Sequence, residues 1–341
     1  MTDLSTLTSW HADWSGLRVG VLGLGLTGFA VADTLVELGA RVLVATAEAA
    51  PQQAALVEVI GASLFEGDLS TPPQELLDLD PELLVVSPGF RPDHPLLLWV
   101  AAQGIPLWGD IELAWRVRDK VKAAEWLSVT GTTGAAETAR LAEHIVAASG
   151  ARVAAVGNNG IPVLHAVRDP MGFDVLVVEL SSYQLHFTGT TAQGAISPLA
   201  SVCLNRGEDH LDWHGSSAAY AASLAKVYEN TRVACVYNKA DVATQEMVEN
   251  AEVIEGCRAI GFDLGTPGPS DLGLVGDIVV DRAFHEDRRN AALELTTHGE
   301  LAAVGLGTTQ NVETVLAASA LARAYGVPAP VVRDSLAVYR A

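Results

Sequence analysis

Apolar residues along the chain come in short runs separated by helix-period segments, a pattern that predicts strands and helices in alternation. Leu17 to Leu22 is the first such run. It breaks at Gly23-Leu24-Gly25-Leu26-Thr27-Gly28, and a helical pattern then continues to Leu38, where Gly39 supplies a C-cap. A second run, Val42 to Val44, completes a βαβ unit of the length a right-handed crossover needs. Leu83 to Val86 and Pro106 to Trp108 follow as further strands. After the charged stretch from Arg116 to Lys122 the alternation begins again, with a strand over Trp126 to Thr130, a glycine-rich turn, and a helix from about Glu137 to Ser149. Val153 to Val156, Val175 to Leu180, Ala200 to Leu204 and Ala234 to Tyr237 are apolar enough to be buried on both faces, as strands of a parallel sheet are. From Asp263 to Arg289 the periodicity gives way to Gly- and Pro-rich, mixed-charge sequence, which predicts a loop or hairpin excursion. Helical patterns over Asn311 to Tyr325 and Pro328 to Val338 finish the chain.

The fold class predicted is α/β, with a Rossmann-like N-terminal domain in residues 1–120 and a P-loop-type parallel-sheet central domain in residues 121–341. Two cores are the expectation for 341 residues, since domains run to roughly 150 residues each. A net charge of −20 repels a phosphate backbone and an anionic membrane surface, so neither nucleic acid nor membrane is an expected partner. It also means that any anionic ligand must be held by local groups, such as helix N-termini and a few basic side chains. The N-terminus has neither a basic stretch nor an apolar core of a signal peptide, and no charge-free apolar run of membrane-spanning length follows, which predicts a cytoplasmic protein. Cys203, Cys235 and Cys257 show no Cys-x-x-Cys spacing and read as buried free thiols.

Two glycine-rich turns carry the candidate chemistry. The first, Gly23 to Gly28, fits G-x-G-x-x-G between a strand and a helix, where glycines let the backbone approach a phosphate at the positive helix end. A dinucleotide site would also place an acidic residue at the end of the second strand, and Ala45-Thr46-Ala47 supplies none. The glycines serve a phosphate or only close helix–sheet packing. The second turn, Gly131-Thr132-Thr133-Gly134-Ala135-Ala136, has the spacing of a nucleotide phosphate loop with its chemistry altered. A working loop follows its last glycine with a lysine for the β- and γ-phosphates and a Ser or Thr for magnesium; a methyl group does neither job. Glu137 adds a negative charge where phosphate oxygens would lie.

The second turn is followed by Gly157-Asn158-Asn159-Gly160, then Glu179-Leu180-Ser181-Ser182-Tyr183-Gln184-Leu185, then Asp209-His210-Leu211-Asp212. In that order, with the first glycine-rich turn, Ser87 to Pro95 and Gly109 to Trp115 upstream, the chain resembles the Mur ligase family, in the form of its D-glutamate-adding members from actinobacteria, over nearly its whole length. The resemblance implies ATP-dependent amide-bond formation with magnesium: a UDP-sugar peptide carboxylate is phosphorylated and the acyl phosphate is attacked by an amine. Residue by residue, it implies that Gly25, Leu26, Thr27, Gly28, Ser87, Pro88 and Gly89 hold the uridine diphosphate. It places Asn158, Ser181 and Gln184 on the sugar-peptide side, and makes Glu179 and His210 the catalytic pair and magnesium ligands. Gly131, Thr132, Thr133, Gly134, Ala135, Ala136 and Asn311 become the nucleotide site. Each also has an ordinary role open to it: His210 as a salt-bridged surface histidine, Glu179 as a strand-end carboxylate, and Tyr183, Trp213 and His214 as packing.

The departures from the family fall on the ATP machinery. Besides the phosphate lysine, the resemblance implies a carbamylated lysine at the position of Leu224, and Lys226, two residues on, points roughly 200° further around the helix. Of a His-Asn-x-x-Asn base motif, Gln310-Asn311-Val312-Glu313-Thr314 keeps one asparagine. The family's third domain would begin about where the sequence ends, and its absence is expected to leave a surface suited to a protein partner. Three functions follow as expectations: a binding protein for a UDP-sugar-type ligand with ATP use lost, a persisting ligase, or an enzyme repurposed for secondary metabolism.

Overall fold

The computed structural model describes residues 2–189 and 195–340. The chain opens on β1 (Arg18–Leu22), α1 (Leu26–Glu37), β2 (Arg41–Thr46), α2 (Pro51–Ile60), β3 (Ser63–Glu66), α3 (Gln74–Leu79), β4 (Leu83–Val86), α4 (Pro95–Gln103), β5 (Leu107–Gly109) and α5 (Asp110–Arg116). These strands form one parallel sheet in the order β3-β2-β1-β4-β5. The chain moves outward from β1 in one direction and returns to its other side at β4, so a crevice opens at the carboxyl ends of β1 and β4, where ligands of doubly wound sheets bind.

The second sheet is built from β6 (Glu125–Thr130), α6 (Ala135–Ala147), β7 (Val153–Gly157), α7 (Val163–Val167), β8 (Val175–Glu179), α8 (Ser182–His186), β9 (Ala200–Cys203), α9 (Leu211–His214), α10 (Ser217–Ala225), β10 (Ala234–Asn238), α11 (Val242–Glu249) and β11 (Arg258–Phe262). It continues through β12 (Asp271–Val275), β13 (Ile278–Asp281) and β14 (Leu293–Thr297), and the chain ends with α12 (His298–Ala303), α13 (Thr309–Tyr325) and α14 (Ala329–Leu336). Its order is β14-β13-β12-β11-β10-β9-β6-β8-β7, with the last two pairings toward β14 antiparallel and the others parallel. The α/β class is thus observed in both parts. The stretch predicted as a loop or hairpin does form a hairpin, and with β14 it extends the sheet by three strands. Val175 to Val178 are fully buried in β8, and α13 packs its alanines against α6 and the sheet. That close approach is what small side chains permit.

Helix α5 joins the two sheets. All seven of its residues are buried, including Asp110, Glu112 and Arg116. Arg116 Nη2 donates to Glu112 Oε1 at 2.8 Å, Arg116 Nη1 donates to the Leu7 carbonyl at 3.1 Å, and the guanidinium lies 4.0 Å from the Trp108 ring centre. The other Glu112 oxygen accepts from the Gly189 amide at 3.2 Å. Asp110 Oδ2 accepts from Gln184 Nε2 at 2.9 Å. One turn of helix in the first part therefore holds the segment that follows β8 in the second.

Burial pushes the Asp110 carboxyl up from 3.8 to about 6, against the opposing hydrogen bond from Gln184. The folded chain then keeps a proton that the unfolded chain gives up, so this group lowers stability as pH rises from about 4 to 6, and the loss persists above that range. Asp110→Asn retains an oxygen for Gln184 and is expected to stabilise the chain at neutral pH by on the order of 1–3 kcal/mol, with the difference vanishing at the acid end of that window. Urea unfolding of both forms across pH measures it; an equal difference at every pH would contradict the assignment.

Candidate functional site

The crevice of the first sheet is a pocket of about 620 Å³ lined by Gly23, Gly25, Leu26, Thr27, Ser87, Pro88, Gly89, Phe90, Arg91, His94 and Asn158. Two loops and one helix end make it. Gly25 caps α1 in an extended conformation, so the first amides of that helix, which have no intrahelical acceptor, face the crevice mouth. A Cβ on Gly25 would meet nothing within 4 Å, whereas one on Gly28 would stand 2.1 Å from the Gly23 carbonyl oxygen. Gly28 therefore lets the helix pack on the loop and does not line the pocket, so its expected part in holding a ligand is indirect. Arg91, paired with Asp93 at 3.0 Å, is the basic side chain of this pocket, and His94, whose Nδ1 accepts from the Leu96 amide at 3.2 Å, lines it beside Arg91.

The second pocket, about 300 Å³, lies at the carboxyl ends of β6 and β8. Gly131, Thr132, Thr133, Gly134, Ala135 and Ala136 form its roof, and Asn158, Asn159, Glu179, Ser181, Ser182, Asp209, His210 and Tyr220 line the rest. Gly134 caps α6 with φ +83, a conformation that glycine adopts without strain. Asn158 borders both pockets, which makes them neighbours along one cleft.

Glu179 ends β8 and is 5% exposed. Its carboxylate accepts from Asn159 Nδ2 at 2.6 Å, from the Asn159 amide at 3.3 Å and from Asn158 Nδ2 at 3.4 Å. His210 precedes α9 as its N-cap with φ +51, its ring 4.6 Å from that of Tyr183 and its Nε2 3.4 Å from Asp209 Oδ2. His214 places Nε2 2.9 Å from Ser182 Oγ, and burial together with His186 and His210 pushes its imidazole down to about 4. That ring is neutral at physiological pH.

The roof of this pocket is tied down from within. The Thr133 amide donates to Asn205 Oδ1 at 2.9 Å, Asn205 Nδ2 donates to the Thr133 carbonyl at 3.0 Å, and the Thr132 amide donates to the Asn205 carbonyl at 3.2 Å. Thr132 Oγ1 accepts from the Gly207 amide and lies 2.9 Å from the Tyr220 hydroxyl. Among the lining residues the charged groups are Glu137, Glu179 and Asp209, and neither lysine nor arginine is present. Leu224 is buried at 1% exposure. Lys226 Nζ donates to the carbonyls of His186 and Thr188, at 2.8 and 3.2 Å, and borders other cavities.

Profile comparison matches residues 129–322 to the Mur ligase middle domain and residues 17–109 to the N-terminal domain of MurD-like Mur ligases. The chain belongs to the Mur ligase family. It is 60% identical to the UDP-N-acetylmuramoylalanine–D-glutamate ligase of Leifsonia xyli subsp. xyli, an alignment covering 99% of this chain and 67% of that protein. Against the enzyme of the same name from Streptomyces avermitilis the figures are 48%, 96% and 68%. The chain thus spans about two thirds of the length of these relatives. Its fold is shared with a crystal structure of UDP-N-acetylmuramate:L-alanyl-gamma-D-glutamyl-meso-diaminopimelate ligase from Neisseria meningitides, at 17% identity and a TM-score of 0.59, covering 96% of this chain and 99% of that one. A murein peptide ligase from Psychrobacter arcticus matches at 15% identity and TM-score 0.57, covering 95% and 68%. Among the described residues no helix is long and apolar enough to cross a membrane.

Within this Mur ligase frame, the residues expected around a uridine diphosphate gather in the first pocket, Gly28 excepted, and those expected around phosphate and metal gather in the second. Gln184 and Asn311 line neither. Gln184 is 3% exposed; its Oε1 accepts from the Ser181 amide and its Nε2 is used by Asp110, so its amide joins the two parts of the chain. Asn311 lies in the first turn of α13 and donates to the Gly305 carbonyl at 3.1 Å. Sequence reasoning passed over Asn159, Ser182, Arg91 and His94 as site residues. All four stand inside the quoted motifs, next to residues that were singled out.

Gly28→Ala is expected to disrupt ligand binding in the first pocket and to destabilise the chain, because its methyl group meets backbone that cannot move aside. Gly25→Ala adds a methyl to open space and is expected to leave the melting temperature unchanged. Thermal unfolding of the two variants side by side distinguishes a packing glycine from a permissive one.

Proposed function

We propose that this Mur ligase homologue binds a UDP-sugar-type ligand through its N-terminal crevice and does not carry out ATP-dependent ligation at the rate of its relatives. The observation that carries the reading is the contrast in charge between the two pockets. The first combines a helix N-terminus with the Arg91 guanidinium, which suits a diphosphate. The second is lined by three carboxylates and by neither lysine nor arginine, and its loop amides at Thr132 and Thr133 are already bonded to Asn205. Phosphoryl transfer draws on positioning and on neutralising phosphate charge, so this pocket lacks what such a step takes from the protein. A triphosphate does not fit the residues present.

Magnesium is a separate matter. Glu179 is a buried carboxylate whose partners are amides, and a hard cation suits it; His210 lines the same pocket. We assign these two the family's metal role, with Asn158 and Ser181 on the path between the pockets. The division into a UDP-sugar domain over 1–120 and a central domain over 121–341 is part of the same reading. Retention of Glu179 and His210, with 60% identity to a named D-glutamate ligase, favours the competing reading of a working ATP-dependent ligase.

Calorimetric titration with UDP-N-acetylmuramoyl-L-alanine and separately with ATP plus magnesium decides between them. Heat with the first and none with the second is expected; saturable ATP binding with phosphate release on adding D-glutamate would remove the proposal. Ala135→Lys alone is expected to restore no turnover, because Leu224 still fills the other lysine position, while Ala135→Lys combined with Leu224→Lys is expected to restore measurable ATP binding.

A further inference from the structure

Cys235 and Cys257 stand 22 positions apart, at the amino-terminal ends of neighbouring parallel strands, away from both pockets described above. Cys235 pairs with Ala259 across β10 and β11, so Cys257, two residues earlier, falls on the same side of the sheet. Their sulfurs are 3.7 Å apart. Cys235 is buried and Cys257 is partly open to solvent. The third thiol, Cys203, is buried on β9 and pushed up to about 12 by burial, with its sulfur against the Asn205 carbonyl. Cys257 is thus the member of the pair nearer solvent, with Cys235 behind it.

We propose that Cys235 and Cys257 are a modification site, closing into a reversible intrachain disulfide by exchange with a low-molecular-weight disulfide. Cys257 reacts first. Its thiolate attacks one sulfur of the small disulfide, a new S–S bond forms, and the other half leaves as a thiolate. Cys235 then loses its proton to solvent and attacks the Cys257 sulfur, expelling the second half. Two protein thiols are oxidised and one small disulfide is reduced to two thiols, so the exchange balances without another oxidant. The sulfurs need to close by about 1.7 Å to reach bonding distance, and because the two positions are offset by two residues in register, the backbone at Cys257, just before β11 begins, moves with the side chains. The hydrogen bond shared by the two thiols holds Cys257 below its ordinary range and raises Cys235, in keeping with the order of attack. The bridge ties β10 to β11 around α11, whose residues Ala243, Glu246 and Met247 line a cavity of about 680 Å³ together with Lys226.

The test treats the native chain with oxidised glutathione and follows intact mass and disulfide-mapped peptides. The expected result is loss of two hydrogens with a Cys235–Cys257 linkage, fully reversed by dithiothreitol, and a melting temperature raised on the order of 5 °C in the oxidised form. Cys203→Ser is expected to behave like the native chain. Cys235→Ser is expected to trap one glutathione on Cys257. No bridge in the folded chain, a bridge to Cys203, or a lowered melting temperature on oxidation would overturn the proposal.

Discussion

Everything in the cleft depends on how α5 is held. Its acidic and basic side chains are buried, and they are tolerated because each has a partner: Arg116 for Glu112, Gln184 for Asp110, and the Gly189 amide for the second Glu112 oxygen. Removing a partner from such a set leaves a charge without solvent or counterion, which costs far more than an exposed pair would. These contacts run between the end of the first sheet and the turn that follows β8. They hold the carboxyl ends of β1 and β4 near those of β6 and β8, which is why one residue, Asn158, borders both pockets.

Given that frame, charge decides what each pocket can accept. The net charge of −20 means that long-range attraction favours no anion anywhere on this chain. An anionic ligand is held only where local dipoles and cations converge. They converge at the start of α1 beside Arg91. At the second loop the spacing and backbone of a phosphate cradle persist, yet the amides of Thr132 and Thr133 are spent on Asn205 and the surrounding carboxylates add repulsion. Under the proposed function, the loop keeps the spacing of a nucleotide site without the side chains that would attract a nucleotide.

The rings around His214 show the same separation between shape and chemistry. Tyr183, His186, Trp213 and Tyr220 all lie within ring-contact distance of it, and a neutral imidazole fits among them without a counterion. Its hydrogen-bond partner Ser182 lines the acidic pocket. Aromatic packing here supports the floor of the site while the polar tips remain inside it.

The sequence by itself determined the α/β class, the longer buried strands and the family, because double burial demands unbroken apolar runs and glycine-rich turns require particular spacings. It left β3 faint, an edge strand with no fully buried residue, and β11 to β14 faint because Arg258, Gly261, Asp271, Gly273 and Glu294 interrupt their apolar positions. It could show that Ala135 and Leu224 are not lysines. Only the tertiary structure decided that Gln184 serves Asp110, that Lys226 turns to the His186 and Thr188 carbonyls, and that Cys235 meets Cys257. Each of those outcomes is a contact between residues distant in the chain, fixed by how sheets and helices pack, and no local pattern encodes which partner a side chain will meet.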